Sequence, residues 1–71
     1  MSELSKDEKR ALLEQELRLW NQNTYILETR YGVNKRIGAD PGVLEAIKKD
    51  LERCALMIDG FESVLKELDK N

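Results

Sequence analysis

In the second half of the chain, apolar residues recur at alternating steps of three and four: Leu44, Ile47, Leu51, Cys54, Ile58, Phe61, Leu65 and Leu68. That spacing holds them on one stripe of an α-helix and is the seam pattern of a coiled coil. Asp59-Gly60 falls inside the row, and Asp-Gly is elsewhere a hairpin-turn signal. The row keeps its phase through the pair, so the spacing predicts unbroken helix with a cost of about 1 kcal/mol for the glycine. The first half carries a matching row: Leu13, Leu17, Trp20, Thr24, Leu27, Tyr31 and Asn34.

Laid antiparallel, the two rows pair Leu13 with Leu65, Leu17 with Phe61, Trp20 with Ile58 and Thr24 with Cys54, then Leu27 with Leu51, Tyr31 with Ile47 and Asn34 with Leu44. Every pair is centred on Ala39. Capping chemistry places a corner at the same point. Ser5 and Glu8 match the capping box that starts a helix. Lys35 and Arg36 suit a helix C-terminus, and Gly38 suits the left-handed residue that ends one. Asp40 is a natural N-cap and Pro41 fits the first helical position. The chain is therefore read as all-α: helix over 5–37, turn over 38–40, helix over 41–69. The glycines of "RYGVNKRIGADPG" match neither the P-loop nor the dinucleotide fingerprint, and no strand precedes them.

A second apolar row runs beside the seam. Leu12, Leu19, Ile26 and Val33 lie seven apart on the first helix, with Glu16, Asn23, Arg30 and Ile37 between the rows. The second helix presents Val43, Asp50, Met57 and Val64 on the same flank. The opposite side is polar, with Glu14, Asn21, Glu28 and Lys35 against Lys48, Ala55 and Glu62. Full burial of an aliphatic side chain is worth roughly 1.5–3 kcal/mol, so the flank's apolar residues represent on the order of 10 kcal/mol per chain. The expectation is a homodimer that covers this flank and forms an antiparallel four-helix bundle. Its interface would comprise Leu12, Leu19, Asn23, Ile26, Arg30, Val33, Val43, Asp50, Met57 and Val64, with Ala46 and Gly60 letting backbones approach. Arg30 and Asp50 fall opposite each other and are expected to pair. Asn23 reads either as a register-fixing polar residue or as one that reaches the wet rim, and Glu16 as a rim residue. Glu28 and Lys48 are expected to pair on the exposed side.

Composition sharpens this picture. The sequence holds 71 residues, enough for one small domain, and a chain of that size usually needs a staple. A single cysteine and no histidine exclude an internal disulfide and a structural zinc site. Oligomerisation is the staple that remains. Catalytic machinery is hard to assemble from this residue set: Cys54 is expected to be a small core hydrophobe, and carboxylate pairs such as Glu14/Glu62 and Asp50/Glu52 read as solvated helix faces. No enzyme activity, cofactor or metal is expected. The opening "MSELSKDEKR" has no apolar stretch, and no run approaches the roughly 20 residues of a bilayer span. Together with the free thiol, this gives the expectation of a soluble cytoplasmic protein.

The formal net charge is −2, which argues against indiscriminate attraction to nucleic acid or anionic membrane. Arg30, Lys35, Arg36, Lys48, Lys49 and Arg53 do gather toward the turn, with Tyr25, Tyr31 and Asn34 nearby. Glu28, Asp40, Glu45, Asp50 and Glu52 share that end and nearly cancel them. In topology, two equal helices and a short turn resemble the Rop-type hairpin dimer that binds paired RNA loops, and that resemblance implies RNA binding as the alternative function. Fold alone does not carry function. Tyr25, Gly32 and Leu56 fall on outward faces and are a candidate surface for a protein partner, although isolated exposed apolar residues are ordinary. The main expectation is a non-enzymatic adaptor, small chaperone or assembly subunit acting through helical surfaces, with itself and an unidentified protein as partners.

Overall fold

Ser5 opens the first helix. Its hydroxyl accepts the Glu8 backbone N–H at 3.1 Å, and its own N–H donates to Glu8 Oε1 at 3.0 Å, which completes the expected capping box. Two otherwise unpaired donors of the first turn are thereby satisfied. The Glu8 carboxyl is held below its ordinary value, chiefly by that Ser5 backbone N–H and then by the Ser5 hydroxyl. The computed structural model describes residues 3–70. Helix α1 spans Lys6–Arg36 and helix α2 spans Pro41–Lys70.

Between them the chain turns through a Schellman motif. Gly38 adopts φ 73°, a left-handed conformation that glycine takes without steric cost. The Gly38 N–H donates to the Lys35 carbonyl at 3.3 Å and the Ala39 N–H to the Asn34 carbonyl at 2.9 Å, the two bonds that define this helix ending. The Asp40 carbonyl then accepts the N–H groups of Val43 and Leu44, and Pro41 begins α2. α2 runs unbroken through Asp59 and Gly60, so the seam's phase overrode the local turn signal.

The two helices pack side by side as a hairpin of 53 × 19 × 14 Å. Every residue of both seam rows is half-buried or buried, and among the described residues Cys54 alone is fully covered, at 3% exposure. Thr24 lines a groove with Leu51, Ala55 and Ile58, while Trp20 and Leu27 line another with Cys54. The Thr24 hydroxyl donates to the Trp20 carbonyl at 2.9 Å, and the Asn34 amide to the Arg30 carbonyl at 2.7 Å. Both polar members of the seam thus satisfy themselves on the preceding turn of their own helix.

The ends of the hairpin are fixed by contacts that periodicity did not reveal. Near the turn, Lys48 Nζ lies 6.0 Å from the centroid of the Tyr31 ring, within the range of a cation–π contact. At the open end, Arg10 donates to Asp69 and forms an ion pair with it. The Arg10 guanidinium is held more firmly protonated than usual, first by that hydrogen bond and then by the Asp69 charge. Both cross-helix pairs are centred between Ala39 and Asp40, within one residue of the pairing read from the seam. Lys48 makes no ion pair with Glu28 among the described residues. The aromatic face one turn away offers its ammonium a fixed site, whereas a fully wet carboxylate gives little in return for immobilising two long side chains.

Candidate functional site: an apolar side without a partner

A two-helix hairpin has one seam and two sides. On one side the helices carry Leu12, Leu19, Ile26, Val33, Val43 and Val64, each between 43% and 51% exposed. Each is therefore half covered by its own chain. The gain still available from covering the rest is about half of what full burial would give, roughly 5 kcal/mol per chain instead of about 10. Met57, on the same side, is more covered than these, as is Glu16.

Two shallow grooves run along this side. At the open end, Leu12, Leu13, Val64 and Leu68 line a groove of about 310 Å³, with Lys9 and Glu16 at its edge. At mid-length a groove of about 350 Å³ brings together Ile26, Asn23, Arg30 and Asp50, with Arg53 beside them. Arg30 and Asp50 share this groove, yet no ion pair closes between them among the described residues. Asn23 is exposed. Val33 and Val43 extend the apolar side toward the turn, where Ile37 is also exposed.

The three outward residues behave differently. Tyr25 is 71% and Leu56 73% exposed, but they line separate grooves. Tyr25 sits with Arg18, Asn21, Gln22 and Ile26 on the outside of α1, and Leu56 with Glu52, Asp59 and Glu62 on α2. Gly32 is half-buried, and a β-carbon there would meet nothing within 4 Å. Among the described residues, neither the groove at Tyr25 nor the one at Leu56 includes Gly32.

Arg10 lies before the first residue of the α1 row, Leu13, and Asp69 after the last of the α2 row, Leu68, so both stand outside the periodic pattern. Arg10 stands at the next step of the α1 seam before Leu13, and the antiparallel pairing carries it to the end of α2. A charged residue on the extension of a seam, with an opposite charge one residue beyond its mirror position at Leu68, was the available signal. Elsewhere the chemistry is sparse. Among the described residues no group of His, Cys, Asp or Glu is arranged to hold a metal ion, and no helix is long and apolar enough to cross a membrane. Comparison of the chain with protein-family models, with curated proteins and with solved structures returned no match.

Proposed function

We propose that the chain is a non-enzymatic protein-interaction module that pairs with a second copy of itself through the apolar side and acts through the helical faces left outside. The observation that carries this reading is the segregation of half-exposed aliphatic residues to one side. Surface area supports it. The chain exposes 5822 Å², about 1,300 Å² more than the roughly 4,500 Å² expected of a compact monomer of its mass. A stable interface of standard size covers about 800 Å² on each partner. The radius of gyration of 16.4 Å, against about 11 Å for a compact chain of this length, describes the same unfilled shape.

Packed side against side, two hairpins form an antiparallel four-helix bundle with Leu12, Leu19, Ile26, Val33, Val43, Met57 and Val64 inside. Arg30 and Asp50, which form no ion pair among the described residues of one chain, then have a partner surface against which to close. The same proposal includes the absence of catalysis, for which the support is the lack of histidine and the burial of the lone thiol. It also includes a cytoplasmic site of action, for which the support is that Cys54 is unpaired.

Sedimentation at tens of micromolar tests the reading. A dimer is expected, and Leu19→Glu with Ile26→Glu is expected to shift it to a helical monomer or to an unfolded chain. A wild-type protein that sediments as a folded monomer overturns the proposal. Titration with a stem-loop RNA at low and high salt separates the alternative: strongly salt-dependent binding there favours an RNA-binding hairpin dimer.

A further inference from the structure

The polar side of the hairpin holds a groove beside the seam. It is open along its length, about 740 Å³ in volume. Its floor is apolar, built from Leu51, Ala55 and Ile58 of α2, with Leu56 at the edge, and Thr24 of α1 forms the facing wall. Its remaining lining residues are Glu52, Asp59 and Glu62, so the rim carries three carboxylates and no cation. None of the three forms an ion pair or side-chain hydrogen bond among the described residues. Toward the open end the depression continues past Leu17 and Leu65, where Lys66 is the one basic residue lining it.

Ala55 explains why a groove exists here. Along α2 its column is otherwise occupied by Lys48, Glu62 and Asp69; the single small residue opens a notch beside Thr24, itself small. Leu56 stands exposed at the edge of that notch. Glu52 and Asp59 are seven residues apart, about 10 Å along the helix axis, and so stand in one column two turns apart. An occupant that fits must be long and narrow, apolar on one face and basic beside it at matching two-turn intervals.

We propose that this groove docks a basic amphipathic helix of a partner protein, of about three turns, with its apolar face on Leu51, Ala55 and Leu56 and its Lys or Arg side chains over Glu52, Asp59 and Glu62. Helix-in-groove recognition of this kind takes orientation from apolar anchors and selectivity from charge. The groove lies on the side opposite the aliphatic flank. It is therefore present on a single hairpin and remains open when that flank is covered, and the inference does not depend on self-association.

The probe is a synthetic peptide of about 14 residues with Leu on one helical face and Lys on the other, compared with the same Leu pattern carrying Glu. Binding is followed by backbone amide chemical shifts of the full-length protein. The Lys peptide is expected to saturate and to move the amides of Ala55, Leu56 and Asp59. The Glu peptide is expected to bind at least about tenfold more weakly. Glu52→Gln with Asp59→Asn and Glu62→Gln, and separately Leu56→Ser, are each expected to weaken the Lys peptide by about tenfold while leaving the helical circular dichroism unchanged, since all four side chains are exposed. Equal binding of the two peptides, shifts confined to Leu12, Ile26 and Val64, or no saturable binding each overturns the proposal. The shift pattern in the wild-type protein decides the matter even if a variant loses its fold.

Discussion

Gly32 and Gly60 each sit inside a continuous helix that has no conformational need of them. Neither has a left-handed backbone, and a β-carbon on either meets nothing within 4 Å. Replacing glycine by alanine inside a helix removes backbone freedom from the unfolded chain and is worth about 0.5–1 kcal/mol when no neighbour is displaced. The unfolding entropy of a domain this size is about 150 cal/mol/K, so each substitution should raise Tm by roughly 3–7 °C. The positions lie on different helices and share no partner, and Gly32→Ala with Gly60→Ala should give close to the sum. Thermal and urea unfolding followed by circular dichroism, with all proteins at one concentration, provide the measurement. A loss of stability on Gly32→Ala would refute the reasoning, because it would require a neighbour or a break where the structure has open space and continuous helix. Gly60 adds a second reading, since it lies beside the aliphatic flank. A gain there that is smaller than at Gly32 and recovers on dilution would place a partner's backbone against α2.

Ser5→Ala should cost about 1 kcal/mol of stability at neutral pH by removing the cap. Because the folded-state pKa of Glu8 is depressed, the stabilisation from its carboxylate is present above the unfolded value. It is lost as pH falls through the lowered folded value, so the difference in Tm between wild type and Glu8→Ala should shrink below about pH 4. Cys54, at 3% exposure, should react with a thiol reagent only on the timescale of unfolding, and rapid modification of the native protein would contradict its burial. A double-mutant cycle on Arg10→Gln and Asp69→Asn should yield a coupling that moderate salt removes, since both side chains are partly wet.

The periodic features of this protein were settled by the chain's own order of residues. A row of apolar positions at steps of three and four defines a helix face whatever that face meets. The Ser5–Glu8 box and the Gly38 ending act through neighbours a few residues away in the chain. The seven positions of the first row pair antiparallel with seven of the eight in the second, centred on Ala39. The pairing places residues in columns, and at that resolution the helical hairpin could be read before any coordinates.

Tertiary structure decided what the long side chains do within those columns. Lys48 had Glu28 and Tyr31 within reach and lies over the ring. Arg10 reaches across the open end to Asp69, while Arg30 and Asp50 share a groove without pairing. Such choices turn on rotamers, desolvation and a few tenths of a kcal/mol at a wet surface, quantities to which periodicity is blind. The same is true of how far each flank residue is covered, and of the groove beside Ala55. Both depend on the volumes of residues brought together from two helices, and one helix's sequence does not contain that sum.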